Sequence, residues 1–388
     1  MTIEDESLRL HLENKGKIAT LVKTHIKDKE DLTLAYTPGV AEPCRQINKN
    51  PEDVYKYTNI GNTVAVITDG SAVLGLGDIG PSASLPVMEG KCVLFKEFGN
   101  VDAFPIALNT NDPDEIVRTI VAISPSFGGI NLEDISAPRC FDIEDRLKKE
   151  LIIPVFHDDQ HGTAIVVLAA IINSLKIVGK KKEEIKIVIN GAGAAGIAIT
   201  NALINFGVKD IILVDSIGII CKGRDNLNRY KEDIAKITNK QRKQGDLAHA
   251  MEGTDVFIGV SKPNLVSKDM IQSMNDDPII FAMANPVPEI MPELAKEAGA
   301  AIVGTGRSDF PNQINNVLAF PGVFRGAFDA GATEINDEMK LAAALALAKT
   351  VKSPNPDMIL PAVFDKSVSK AIADAVKDAA IKTGVIRK

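Results

Sequence analysis

Two α/β domains, the second built on a doubly wound parallel sheet and followed by C-terminal helices, are what this sequence predicts. Three observations lead there. The chain has 388 residues, too many for one ordinary hydrophobic core and enough for two. After about residue 165, apolar runs alternate with helical patterns in a regular βαβ cadence, whereas the motifs before it are scattered. A glycine loop, Asn190-Gly191-Ala192-Gly193-Ala194-Ala195-Gly196, lies early in that second half between a strand-like and a helix-like run. The expected division is 1–162 and 163–388.

The elements follow in order. Val64–Thr68 reads as a strand, Val87–Phe95 as a helix and Leu151–Phe156 as a buried strand. In the second half, Ile185–Ile189 reads as a strand, Ile197–Phe206 as a helix stopped by Gly207, and Ile211–Val214 as the next strand. Val256–Val260, Ile279–Met283 and Ala301–Val303 complete the sheet, and the tail from Glu334 reads as helices.

Composition narrows the partners. A net charge of -7 argues against a nucleic-acid backbone or an anionic membrane surface. The longest apolar stretch, Ala164–Ile172, is too short to span a bilayer, and the first residues lack signal-peptide character, so a cytoplasmic protein is expected. Cys44, Cys92, Cys140 and Cys221 are widely spaced, which suggests neither a zinc ribbon nor a redox pair.

The pattern G-x-G-x-x-G occurs twice, and context separates the copies. Gly191 to Gly196 ends a strand and opens a helix, and Asp215 lies 19 residues beyond Gly196, where it can accept from ribose hydroxyls. Amides at that helix N-terminus suit a pyrophosphate, so a Rossmann-like dinucleotide site is expected. The charge of Asp215 favours NAD by repelling the 2'-phosphate of NADP, while Lys222 and Arg224 keep NADP open. The earlier copy, Gly75 to Gly80, is followed by Pro81 and Pro86 and reads as a tight loop.

Two acidic doublets suggest a cation. Glu133-Asp134 follows a glycine-rich turn, and Asp158-Asp159 follows a strand-like run, which places both on loops at element ends. Closely spaced carboxylates repel one another and attract a hard ion such as Mg2+ or Mn2+. His157 and His161 imitate the zinc-protease spacing, but that motif needs the middle of a helix, whereas here a strand ends at His157 and Gly162 follows. Lys91 falls on an apolar helical stripe with Val87, Met88, Leu94, Phe95 and Phe98. It either snorkels outward or enters a cleft where desolvation lowers its pKa and makes it a base. Tyr36 precedes the turn Pro38-Gly39.

These residues resemble the malic enzymes of the short prokaryotic type. The match runs from Tyr36-Thr37-Pro38-Gly39-Val40 through Thr68-Asp69-Gly70, Leu74 to Asp78, Asn131 to Asp134, His157 to Thr163 and Asn190 to Gly196. It continues through Ala284-Asn285-Pro286 and Asn315-Asn316 to Phe320–Gly326. The resemblance implies oxidative decarboxylation of L-malate to pyruvate with NAD or NADP. It implies Glu133, Asp134 and Asp159 as ligands of Mg2+ or Mn2+, with Asp158 orienting Lys91. Lys91 is then the general base and Tyr36 the general acid, while Asn285, Asn315 and Asn316 hold malate, Asn285 also facing the nicotinamide. A homodimer is implied as well.

One departure stands out. Larger malic enzymes carry an arginine two residues after the equivalent of Asp69-Gly70, where this chain has Ser71-Ala72-Val73; Arg307 is a candidate replacement. The alternative enzymes are a metal-dependent oxaloacetate decarboxylase and a malate oxidoreductase that retains oxaloacetate. From another class, a nucleotide-sensing regulator without turnover has no need of Tyr36, Lys91 and four carboxylates together.

Overall fold

The computed structural model describes residues 2–387 apart from Leu74. Four helices come first: α1 (Ile3–Asn14), α2 (Lys29–Ala35), α3 (Ala41–Lys49) and α4 (Val54–Tyr57). None of them buries a side chain, and Leu8, Leu12, Leu21 and Leu34 stand exposed.

A first parallel sheet follows, with β1 (Thr63–Thr68), α5 (Pro81–Gly99), β2 (Asp102–Ala107), α6 (Pro113–Ile123), β3 (Gly129–Leu132), α7 (Arg139–Glu150) and β4 (Val155–His157). Its order is β2-β1-β3-β4. Helix α8 (Asp158–Val178) leads out of it.

The second sheet contains β5 (Lys186–Asn190), α9 (Ala194–Phe206), β6 (Asp210–Asp215), β7 (Gly218–Ile219), α10 (Arg229–Ile237), α11 (Leu247–Met251), β8 (Val256–Gly259), α12 (Lys268–Gln272), β9 (Ile279–Ala282), α13 (Pro292–Glu297) and β10 (Ile302–Thr305). The order is β10-β9-β8-β5-β6-β7, parallel except for the short β7. The chain moves outward from β5 in both directions, so the loop after β5 lies at a topological switch point, where such sheets bind ligands. Helices α14 (Phe320–Ala330), α15 (Asp337–Thr350) and α16 (Lys366–Thr383) close the fold.

Two expectations change. The buried strand is the short Val155–His157, because Leu151 still caps α7. Asp158-Asp159 is not on a loop: it opens α8, and Gly162 lies inside that helix. Acidic side chains favour a helix N-terminus electrostatically, which a strand-then-turn reading overlooks. Residue 162, the expected end of the first domain, therefore lies within one continuous helix. Helix α8 is also long and apolar enough, at 21 residues, to cross a membrane by composition, yet its most apolar stretch is 67% buried. It belongs to a core in which Ile165, Leu168 and Ile171 are buried together with Leu203, Ala344 and Leu347.

Candidate active site

Parallel register brings the two doublets together. Leu132 pairs with Ile67 on one side and with His157 on the other, so the residues following β1, β3 and β4 emerge along one edge. Glu133, Asp134 and Asp159 each present a carboxylate oxygen within 4.8 Å of the others. Lys91 reaches in from α5, its Nζ 2.6 Å from Asp158 Oδ2, 2.9 Å from Glu133 Oε1 and 4.3 Å from the centroid of Phe320. Gly162 makes room for this contact, since a Cβ there would lie 1.8 Å from Asp158 Oδ1.

Charge is unbalanced. The cluster holds four carboxylates and one ammonium group, which touches two of them, Asp158 and Glu133. Burial pushes Glu133 well above its ordinary value, Asp134 up to about 8 and Asp158 up to about 6. Asp159 goes the other way: loss of water would raise it, but hydrogen bonds from His157 and the Asp134 amide hold it low. Lys91 departs from the expectation of a lowered pKa. Burial pulls it down, yet Asp158 and Glu133 outweigh that pull and hold it above its ordinary value.

The residues fit a divalent cation. Asp134 Oδ2 is buried without a hydrogen-bond partner, an expensive condition for a carboxylate oxygen unless an ion meets it. Asp134 also holds a left-handed φ of 54°, a conformation uncommon for a residue with a side chain and concentrated at functional sites.

Beside the carboxylates lies a cavity of about 350 Å³ lined by Asp134, Asp159, Thr163, Asn285, Asn315 and Asn316, among others. Gly75 lines it too, so the first glycine loop is a wall of this cavity: φ is +76° at Gly75, and a Cβ there would lie 2.5 Å from the Asn285 carbonyl. Two expected residues do not join the cluster. Tyr36 is 65% exposed at the C-terminus of α2 and does not line the cavity. Arg307 is held by Asp309 in a two-pronged ion pair at 2.6 and 2.8 Å, which occupies the guanidinium expected to replace the missing arginine.

A second cavity, of about 530 Å³, holds Gly191, Ala192, Gly193, Asp215 and Lys231 in its wall. Gly191 has φ +118°, and a Cβ at Gly196 would lie 1.8 Å from the Gly191 carbonyl, so the loop needs glycine at both positions. Ala194 and Ala195 open α9 against this loop, and Ala195 faces the acidic cavity. Ser261 lines both cavities and accepts from Asn190 at 2.8 Å, which places them side by side. Asp215 is not a bare charge. Arg224 grips it at 2.6 and 2.9 Å and Lys231 at 2.7 Å, and together they hold its carboxyl well below the usual range against the effect of burial.

Comparison with known proteins decides the family. Residues 15–148 match the malic enzyme N-terminal domain, and residues 160–381 match the malic enzyme NAD-binding domain. The chain belongs to the malic enzyme family. It is 60% identical to the bifunctional malic/malolactic enzyme of Bacillus subtilis over 390 residues, covering all of this chain and 95% of that one. Identity to the NAD-dependent malic enzyme of Geobacillus stearothermophilus is 55%, over all of this chain and 81% of the relative. The crystal structure of malic enzyme from Pyrococcus horikoshii superposes with a TM-score of 0.97 at 49% identity, covering all of this chain and 92% of that one.

Within this malic enzyme fold, four buried side chains support the cluster in a way the sequence reading did not assign: Asn131, His157 and Gln160 inside the matched motifs and Glu144 outside them. Asn131 donates to Glu133 at 2.9 Å, while Glu144, His157 and Gln160 form a polar group behind the acidic cluster. Glu144 carried a signal. It shares the helical stripe of Cys140, Ile143 and Leu147, all buried, and an acid on such a face requires partners.

Proposed function

We propose that this chain oxidises and decarboxylates L-malate to pyruvate with NAD or NADP, and that its acidic cluster is the catalytic centre. The observation that carries the assignment is the meeting of Lys91 with four carboxylates beside a cavity that adjoins the glycine-loop cleft. Glu133, Asp134 and Asp159 would hold Mg2+ or Mn2+, which when bound supplies Lewis-acid polarisation at the C2 oxygen of malate. Gly191, Ala192, Gly193 and Asp215 would hold the dinucleotide in the neighbouring cleft, where its nicotinamide would supply the hydride acceptor for C2.

The protein side chains then divide the proton work. Lys91 takes the hydroxyl proton at C2, and Asp158 keeps its Nζ in place. Of the two carboxylates that hold Lys91 above its ordinary value, a cation would neutralise Glu133 and leave Asp158, so burial meets less opposing charge and lowers the lysine toward a usable base. Asn285, Asn315 and Asn316 offer neutral amides to the substrate carboxylates. After loss of the C4 carboxylate, Tyr36 gives a proton to C3.

Because Tyr36 is exposed and lies outside the cavity of its own chain, the reading includes a homodimer that covers exposed N-terminal residues such as Leu8, Leu12, Leu21 and Leu34 and brings Tyr36 to a substrate site. The enzyme works in the cytoplasm, a placement supported by four free cysteines. Asp215 selects the nucleotide through a balance: its own charge favours NAD, whereas Arg224 and Lys231 favour a 2'-phosphate.

The test is to supply L-malate, Mn2+ and each nucleotide while following reduced nicotinamide, pyruvate and lactate. Equal yields of pyruvate and reduced nicotinamide support the assignment, and oxaloacetate as the sole product refutes it. Lactate without net reduction would assign malolactic turnover, the second activity in the name of the Bacillus subtilis relative.

A further inference from the structure

The histidines and the glutamine of His157-Asp158-Asp159-Gln160-His161 have no part in the chemistry above, yet they form a connected network. His157 is fully buried at the end of β4. Its Nε2 lies 3.1 Å from Asp159 Oδ2, and its Nδ1 lies 2.7 Å from the Gln160 amide nitrogen. That nitrogen is also 3.0 Å from Glu144 Oε2. Glu144 accepts in addition from His161 at 2.8 Å, from Lys148 at 2.7 Å and from the His157 amide at 3.3 Å. Burial would raise its pKa, but His161 and Lys148 hold it well below the carboxylate range.

Donor and acceptor counting then fixes each atom. An ionised carboxylate only accepts, so the Gln160 amide spends one hydrogen on Glu144 and has one left for His157 Nδ1. Burial opposes charge on His157 and Asp159 draws its pKa well above the ordinary value, but the Gln160 hydrogen aimed at Nδ1 leaves that nitrogen to accept, so the hydrogen of His157 sits on Nε2 and is donated to Asp159 Oδ2. The Asp134 amide donates to the same oxygen at 2.8 Å. Two donors therefore pin one oxygen of Asp159, which sets the plane of the carboxylate and the direction of the other oxygen.

We propose that His157 is a positioning residue for the cation ligand Asp159, and that Glu144, acting through Gln160, selects the tautomer that does the positioning. The inference rests on Glu133, Asp134 and Asp159 being the cation ligands. Partners of this kind typically change metal affinity by about 10- to 100-fold when removed.

Mn2+ binding to the whole protein without substrate, followed by electron paramagnetic resonance of the free ion, tests it. Gln160→Met and His157→Phe should each raise the dissociation constant for Mn2+ by about tenfold or more. His157→Gln, whose amide can still donate to Asp159, should recover most of the loss. Nucleotide affinity should stay unchanged in all three, which separates positioning from a general loss of fold. If Mn2+ affinity stays within about twofold in Gln160→Met, or if His157→Gln is as weak as His157→Phe, the positioning role is overturned even if Asp159→Asn abolishes binding. Wild-type protein that does not bind Mn2+, or Asp159→Asn that binds as well as wild type, overturns the cation assignment too.

Discussion

Lys91 donates to Asp158 across 2.6 Å, and the two residues come from different helices, α5 and the first turn of α8. Both are buried, and Glu133 shares the ammonium at 2.9 Å. Removing the lysine leaves Asp158 and Glu133 without the positive charge that contacts them both. Lys91→Ala should therefore abolish malate oxidation and also destabilise the metal-free protein by about 3–5 kcal/mol, the range for breaking a buried pair. Mn2+ should restore part of that stability. Thermal melts with EDTA and with Mn2+ give the comparison, and near-wild-type turnover would refute the catalytic role of Lys91.

The pH dependence of the metal-free protein carries a definite sign. Burial and the nearby Asp159 push Asp134 up to about 8, whereas the unfolded chain titrates near 4. Between those values the folded state holds the extra proton, so through this group stability falls as pH rises from about 4 to about 8. Asp134→Asn should flatten that slope in EDTA while weakening Mn2+ binding. Melting temperatures of both proteins at several pH values in this window provide the check; parallel slopes would contradict the prediction.

How much of this was legible in the sequence depends on what each residue needed. The second sheet follows from period and punctuation: Ile211–Val214 lies within β6, and Gly207 ends α9. The first sheet was harder, because β4 is three residues long and the doublet after it looks like a loop until α8 is seen to begin there. Lys91 was found from its position on an apolar stripe, but the direction of its pKa was not. That direction depends on Asp158 and Glu133, which are distant in sequence and meet Lys91 only through the register of β1, β3 and β4. Asp215 shows the same limit: its spacing from the glycine loop is a local signal, whereas Arg224 and Lys231 meet it across a fold of the chain.

Nucleotide choice should respond to that trio. Asp215→Ser removes the acid and releases Arg224 and Lys231 toward a 2'-phosphate, so the ratio of kcat/KM for NADP to that for NAD should rise by about tenfold or more, equivalent to about 1.4 kcal/mol. Arg224→Ala should move the ratio the opposite way. Steady-state kinetics with both nucleotides measure it, and an unchanged ratio in Asp215→Ser would remove Asp215 from the selectivity argument.

The exposed N-terminal surface makes a further prediction. A homodimer of this 41.5 kDa chain should sediment at twice the monomer mass. Leu34→Glu, two residues before Tyr36, should shift the equilibrium toward monomer and lower turnover together. Sedimentation velocity and activity on the same samples decide it; full activity in a monomeric variant would contradict the proposed dimer.

The most direct test of the central claim is a single-vessel assay with purified protein, L-malate, Mn2+ and NAD or NADP, in which reduced nicotinamide and pyruvate are measured together. The account predicts that both appear in equal amounts, that neither appears after EDTA treatment, and that Asp159→Asn behaves as the EDTA-treated enzyme does. Reduced nicotinamide accumulating without pyruvate, or undiminished turnover in EDTA, would contradict it.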